Sequence, residues 1–224
     1  MPDRTTGRLA YMSLTCNKPN CRYMITTDAC EPFFAYMRKY VELDSDTMEL
    51  IAANTGEVTL PEKHIILKEG SPCEKIYFIV SGLARSYYTD FSGKTITWSF
   101  HFNTAESISK NLFAVDYRAF LNNKLSSVAI ETLSEVYALT ISKTQLNYLI
   151  EKSFTYERWM RKLNEAAFLH MYDRAFTLLT MAATERYHKL VKEESHLLQM
   201  FSNYYIASYI GIAPQSLSRI RSQH

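Results

Sequence analysis

The segment from residue 55 to residue 142 restricts the fold of this chain more than any other part of its sequence. Its apolar residues fall in short runs rich in β-branched and aromatic side chains, and Gly70, Gly82 and Gly93 separate the early runs at steps of 12 and 11 residues. Short strands at this even spacing are typical of an antiparallel barrel or jelly roll. An insertion at 103–123 lacks this alternation, and we expect a short helix near 112–121 within it. The expected strands are residues 57–60, 64–68, 75–80, 83–89, 94–102, 127–133 and 136–141.

Helical spacing of apolar residues flanks this region on both sides. Residues 29–53 carry the pattern of two short helices, the second capped by Asp44 or Ser45. Residues 143–192 contain neither proline nor glycine, and a long helix there has an apolar arc of about 200°. Since one docking surface needs only half of that, we predict a homodimer formed through this helix; the alternative is a helix buried in a larger core. Its apolar stripe includes Leu163, Ala167, Met171 and Leu178.

The last 22 residues have the pattern of a helix-turn-helix. The first helix presents an apolar face with a small residue where the second helix crosses it. A glycine supplies the positive φ of the tight turn, and a proline follows in the first turn of the second helix, where its missing N–H costs nothing. Two apolar residues three apart then bury the inner face. The positions that meet these demands are Ile206, Ala207, Ile210, Gly211, Ile212, Pro214, Leu217 and Ile220.

The outward face of the second helix predicts double-stranded DNA as a partner. Gln215, Ser216, Ser218, Arg219 and Arg221 form a donor-rich set that can contact base edges and phosphates in a major groove. No Asp or Glu follows Glu194, so this end of the chain is basic. The alternative is a helical corner of a structural domain with two solvated arginines.

Specific motifs resemble the Crp/Fnr family of bacterial transcription regulators. Lys68-Glu69-Gly70, residues 76–82 and residues 90–93 look like the turns of that family's cyclic-nucleotide-binding-like barrel, and residues 183–187, 205–212 and 216–221 look like a branch common in Bacteroidetes. The resemblance implies an α+β chain with an antiparallel jelly-roll barrel, a long dimerisation helix and a C-terminal helix-turn-helix. It also implies that Gln215, Ser216 and Arg219 read bases, and it makes RNA polymerase a further candidate partner.

The resemblance divides the chain into four parts. We expect residues 1–23 to be a disordered N-terminal arm or an over-extended start, residues 24–142 a sensor domain, residues 143–183 connecting and dimerisation helices, and residues 184–224 the helix-turn-helix domain. Many family members continue into a β-hairpin wing, which this sequence does not contain; fewer phosphate contacts would make DNA binding weaker and steeply salt-dependent.

The ligand of the sensor domain is predicted to differ from a cyclic nucleotide. Family members that bind one hold its ribose with a Gly-Glu pair and its phosphate with an arginine, whereas the matching stretches here offer an acid and no arginine. A desolvated phosphate needs a positive or multiply donating partner. We therefore expect no tight cAMP binding. The sensor domain then binds an unknown small ligand or no ligand at all. The candidate ligand residues are Asp116, Tyr117, Lys124, Ser126 and Ser127.

Composition excludes several other classes. The 224 residues are 47% hydrophobic and 21% charged with a net charge of +2, a globular profile without an apolar run long enough to span a membrane. Four scattered cysteines, three of them in a loose cluster (Cys16, Cys21, Cys30), favour inert thiols in a reducing cytoplasm over a metal or iron–sulfur site.

We expect no cofactor, no metal and no enzymatic activity. Two alternatives stay open: a sensor module acting through a protein partner, and a cupin-like metalloenzyme using His64 and His101.

Overall fold

A computed structural model describes residues 26–222 of the chain. The predicted arm, residues 1–23, lies outside this range together with Cys16 and Cys21. The described part is an α+β arrangement in which short helices precede an antiparallel jelly roll and a helical half follows it, as the sequence predicts. The strands are β1 (Gly56–Leu60), β2 (Ile65–Leu67), β3 (Lys75–Ser81), β4 (Ala84–Thr89), β5 (Thr95–His101), β6 (Phe113–Ala114), β7 (Ala129–Thr132) and β8 (Val136–Ser142).

Two four-stranded antiparallel sheets form the barrel. Their strand orders are β1-β8-β3-β6 and β2-β7-β4-β5. Most neighbouring strands are distant in sequence: β3 pairs with β8 in a register that joins Lys75 to Ser142, whereas β4 and β5 are consecutive. Each predicted strand run contains one observed strand, so the even turn spacing located these strands correctly.

In the sequence, helices precede the barrel, interrupt it between β5 and β7, and follow it. Asp44 caps α2, since its Oδ1 accepts a hydrogen bond from Thr47 N (2.7 Å), which confirms the predicted cap. The helices are a short 3-10 turn (Thr27–Cys30), α1 (Glu31–Met37), α2 (Ser45–Ala53), α3 (Ser109–Leu112), α4 (Tyr117–Asn122), α5 (Lys143–Lys152), α6 (Phe154–Thr180), α7 (Ala183–Glu193), α8 (Leu197–Met200), α9 (Asn203–Tyr209) and α10 (Pro214–Ser222).

The insertion differs from the single helix expected at 112–121. Two short helices, α3 and α4, occupy it, and strand β6 lies between them. β6 pairs Tyr77 with Ala114 and Phe78 with Phe113 on the edge of β3. The helix expected at 112–121 is present only in part, as α4, because the two-residue strand β6 depends on a partner far away in sequence and local spacing carries no signal for such a pairing.

Two apolar cores hold the molecule together. The larger lies within the barrel and under α1 and α6, where Phe33 contacts Phe78 and Trp159 edge to face at centroid distances of 5.1 and 5.2 Å. Leu163 belongs to this core and is 3% exposed. The second core joins β5 to the C-terminal helices, so these helices are packed on the barrel.

Candidate nucleic-acid interface and sensor cavity

Helices α9 and α10 pack against each other as the sequence pattern requires. Ile206, Ala207, Leu217 and Ile220 are each at most 5% exposed. Gly211 has φ +70° in the connecting turn, and Ile212 N donates to Ala207 O (2.9 Å) to close the end of α9. The turn residues and the buried face therefore orient the opposite side of α10 outward.

The outward side of α10 carries the predicted DNA-binding residues. Gln215, Ser218, Arg219 and Arg221 are exposed, and Ser216 is half-buried. Arg221 Nη1 donates to Asn203 Oδ1 on α9 (2.7 Å). Ser218 Oγ donates to Pro214 O one turn earlier (3.2 Å). The side chain of Arg219 makes no hydrogen bond or ion pair within residues 26–222, so its guanidinium is available to an external partner.

Strand β5 anchors α9 through polar and aromatic contacts. Ser208 Oγ donates to Thr97 Oγ1 (2.8 Å), and Thr97 N donates to Ser208 Oγ (3.2 Å). Phe100 on β5 stacks on Phe201 at a centroid distance of 3.9 Å. All of these side chains are buried, so the α9–α10 unit is fixed to the barrel in this arrangement.

A buried arginine lies at the same junction. Arg85 on β4 is 4% exposed, and its Nε donates to Glu131 Oε1 (2.7 Å). Its guanidinium lies 4.4 Å from the ring centre of Tyr87 and 4.0 Å from that of Tyr205 on α9. Sequence reasoning missed Arg85, because its role depends on the docking of α9 against the barrel; an arginine within a strand run was the available signal.

The predicted ligand residues Asp116, Ser126 and Ser127 lie together, but the structure uses them to hold a loop. Asp116 caps α4 by accepting from Ala119 N (3.1 Å), and its other oxygen accepts from Ser126 Oγ (2.8 Å) and Ser127 N (3.1 Å). Ser126 Oγ also lies 2.7 Å from Val128 O. Both carboxylate oxygens of Asp116 therefore already have hydrogen-bond donors.

The other two predicted ligand residues occupy different environments. Lys124 is exposed on the loop after α4. Tyr117 lines a cavity of about 80 Å³ between the barrel and α6, where burial raises the pKa of its hydroxyl. The five predicted ligand residues therefore do not form one site: three hold a loop, one lies at the surface and one lines a cavity.

His101 lines the same cavity; the sequence indicated it only as a metal-ligand candidate of the cupin-like alternative, not among the residues for a small ligand. Its Nε2 lies 2.6 Å from Ser86 Oγ, and its Nδ1 has no hydrogen-bond partner within residues 26–222. Burial lowers the pKa of His101 to about 4, and the nearby main chain of Lys110 opposes this only partly. The imidazole is therefore neutral near pH 7.

The long helix α6 has an exposed apolar side that shares Met171 with the predicted stripe but does not include Leu163. Leu163 is packed in the core of its own protomer, while Ala167 and Leu178 are half-buried and Met171 is 44% exposed. The stripe was shifted because the barrel covers one side of the helix, which the sequence pattern alone does not specify. The large exposed apolar residues of this side are Phe168, Leu169, Met171, Tyr172, Phe176 and Leu179.

The described cysteines and histidines form no metal centre. Cys30 and Cys73 are free and buried, and burial raises the pKa of both thiols, that of Cys30 to about 11. His64 is exposed, whereas His101 is buried. Within residues 26–222 no group of three or more His, Cys, Asp or Glu side chains could hold a metal ion.

The described residues thus form an antiparallel jelly roll followed by a long helix and a docked helical pair, and known proteins share this arrangement. Residues 57–153 match the family model of the cyclic nucleotide-binding domain. No curated protein matches the chain. No helix in residues 26–222 is long and apolar enough to cross a membrane.

Solved structures of transcription regulators share the fold over most of the chain. FixK2 from Bradyrhizobium japonicum is 19% identical with a TM-score of 0.62, covering 75% of this chain and 83% of that chain. The c-di-GMP-responsive regulator CLP of Xanthomonas campestris is 15% identical with a TM-score of 0.60, covering 80% and 91%. A protein from Eubacterium rectale described as a Crp/Fnr family transcriptional regulator is 15% identical with a TM-score of 0.59, covering 81% and 83%. The chain therefore has the fold of Crp/Fnr-type regulators, built on a cyclic nucleotide-binding domain.

Proposed function

We propose that this protein is a DNA-binding transcription regulator of the Crp/Fnr type that acts as a homodimer. The observation that carries the proposal is the outer side of α10, where Gln215, Ser218, Arg219 and Arg221 are exposed while Leu217 and Ile220 anchor the helix from behind. Exposed donors on a helix fixed by its opposite side are the arrangement that major-groove readout requires.

The charge distribution supports DNA as the partner. After Glu194 the sequence has two arginines, Arg219 and Arg221, and no acid. Both arginines are exposed on one helix, so no carboxylate of the C-terminal helices competes with a phosphate for them. Arg219 is the base-reading candidate, because Arg221 is already engaged with Asn203.

The exposed apolar side of α6 supports a second copy of the chain as the other partner. Leu179 is 86% exposed, Phe168 70% and Tyr172 61%, although all lie on one helix. Contiguous exposed apolar surface of this kind marks an interaction site. An isologous helix pair would cover it and place two copies of α10 around one symmetry axis.

The regulating signal proposed here is not a cyclic nucleotide. Residues 125–128 contain no arginine, and the buried Arg85 is already paired with Glu131. A cyclic phosphate entering the barrel would lose its hydration without gaining a cationic partner. Calorimetry with cAMP and cGMP is expected to show no binding at micromolar concentration, and tight binding would refute this part of the proposal.

Selection of genomic DNA fragments by the purified full-length protein tests the DNA-binding function. We expect a roughly palindromic motif whose binding falls steeply with salt. Arg219→Ala is expected to cost about 1–3 kcal/mol of DNA affinity and to relax base preference at one position, as for a bidentate arginine–guanine contact. Arg38→Ala, which removes an exposed arginine from the end of α1, is the matched control and should leave affinity unchanged.

Two results would contradict the proposal. Unchanged affinity in Arg219→Ala would show that α10 does not read bases. Failure to enrich any fragment, both with the protein alone and after addition of cell extract as a source of ligand, would favour a sensor that acts through a protein partner.

A further inference from the structure

A second cavity, outside the barrel, lies where three parts of the molecule meet. Its volume is about 220 Å³. Lys110 of α3 lines one side, His170 and Arg174 of α6 line the next, and Arg186 of α7 closes it beside the end of α9. Any molecule bound there would contact the sensor domain, the long helix and the C-terminal helices together.

Three buried nitrogen atoms around this cavity lack hydrogen-bond partners. They are His170 Nε2, Arg174 Nε and Arg186 Nε, and they make up three of the five such side-chain atoms found within residues 26–222. Buried polar groups are normally paired, so a cluster of unpaired ones requires an explanation. Two of the three are arginine N–H groups, which can only donate. The missing partner is therefore an acceptor.

Other N–H groups of both guanidiniums are bound by the protein. Arg174 Nη2 donates to Tyr209 O (3.1 Å), and the guanidinium lies over the Tyr209 ring at 4.2 Å. Arg186 donates to Leu178 O and Gly211 O, both at 3.2 Å. These contacts fix the orientation of the two arginines and leave the Nε–H groups unused.

The ion pairs around the cavity leave a positive excess. Lys110 pairs with Glu194, and Lys189 pairs with Glu193 (3.4 Å). Asp173 is then the one remaining carboxylate of the lining, against the guanidiniums of Arg174 and Arg186. Neither arginine forms an ion pair within the described part of the chain, so an anionic acceptor satisfies both the unused donors and the excess charge.

We propose that this cavity binds a small oxyanion, a phosphate or a short dicarboxylate, through the Nε–H groups of Arg174 and Arg186 with His170 as a third partner. The volume suits such a ligand, because pockets for drug-sized molecules measure about 300–1,000 Å³. Bound there, the anion links α6 to α7 and stabilises the packing of the C-terminal helices against the long helix.

The first experiment uses the full-length protein without DNA, so its outcome is independent of the DNA-binding function. The signals of the arginine Nε–H groups are followed by ¹⁵N NMR during titration with inorganic phosphate or malonate, at ionic strength held constant with chloride. Arg174→Lys and Arg186→Lys assign the two signals. We expect both to shift saturably with one of the anions; preference for phosphate or for malonate identifies the chemical source. Signals that respond to neither anion would mean that ordered water fills the cavity, and would overturn the proposal.

Variants then test the residues. In Arg186→Gln the dissociation constant of the anion is expected to rise about tenfold or more, as for loss of one charge-assisted hydrogen bond. Arg161→Gln removes the same charge from an exposed site on α6 and should not change it. If Arg186→Gln fails to fold, judged by circular dichroism, His170→Gln replaces it with the same expected direction. Equal anion affinity in the wild type and the folded cavity variant would refute the site.

Discussion

Arg85 shows how one side chain can join the barrel to helix α9. Its charge is neutralised by Glu131, whose side chain is 19% exposed, and its planar faces lie between rings from the barrel and from α9. Removing one member of a buried ion pair leaves the other charge unpaired. We expect Arg85→Ala to lower the free energy of unfolding by about 3 kcal/mol, measured by urea denaturation.

Arg161 supplies the control for this prediction. It pairs with Glu165 (3.3 Å) on the exposed side of α6, with both side chains at least 60% exposed. Arg161→Ala is expected to cost less than about 1 kcal/mol. Equal losses in the two variants would show that Arg85 contributes no more than a surface arginine.

His101 makes stability depend on pH. Its pKa falls from 6.5 to about 4 in the folded protein, mainly because it is buried. The unfolded chain therefore binds more protons between these values, and stability, complete above pH 6.5, is lost as the pH falls towards about 4. The slope from this group is at most about 1.4 kcal/mol per pH unit. His101→Gln should flatten the profile of unfolding free energy between pH 4 and 6.5 relative to the wild type.

The exposed His64 gives the comparison for this pH effect. Because its side chain lies at the surface, we expect the pH profile of the unfolding free energy of His64→Gln to keep the shape of the wild-type profile. A profile altered equally by both substitutions would contradict the role of burial at His101. Unfolding at each pH, followed by circular dichroism, provides the measurement.

At the scale of single elements, the structure shows which features the sequence could predict. The α9–α10 pair was predictable because each requirement is local: Gly211 needs a positive φ, Pro214 the first turn of a helix, and Leu217 and Ile220 one face. β6 was not, because its two residues form a strand only through pairing with β3. Which side of α6 stays exposed also depends on the barrel, which covers Leu163 and leaves Phe168 exposed.

The same element carries a prediction about assembly. If the apolar side of α6 binds a second copy, a carboxylate introduced at Phe168 or Leu179 loses its hydration in the interface. We expect Phe168→Glu and Leu179→Glu to raise the dimer dissociation constant at least about thirtyfold, as for truncation of a central interface residue. Sedimentation equilibrium should then give 26.0 kDa, the mass of one chain, instead of twice that value.

Leu125→Glu separates this effect from a general loss of apolar surface. Leu125 is 60% exposed, comparable to Phe168, but lies on the loop before β7. A dimer is expected for this variant. If the two α6 variants also stayed dimeric, the chains would have to associate through another surface.

For the whole molecule, the contacts of α9 with the barrel limit how α10 can meet DNA. Ser208 and Thr97 are joined by hydrogen bonds, and Phe201 stacks on Phe100, so α10 is fixed relative to the barrel and to α6. A dimer through α6 would then hold two copies of α10 at one separation. Half-sites should lie one helical turn apart, about 34 Å between centres.

Spacing variants of the operator measure this rigidity. Inserting about 5 base pairs, half a turn, turns one half-site to the opposite side of the duplex, where a rigid dimer can bind only one half-site at a time. We therefore expect the affinity to fall to that of a single half-site. The monomeric variant Leu179→Glu should bind both operators equally, because it uses one half-site on either. If the wild-type dimer bound the operator with the half-turn insertion as tightly as the original operator, the α9–α10 unit would have to leave the barrel when it binds DNA. In that case the contacts around Thr97 and Arg85 would belong to the free state alone.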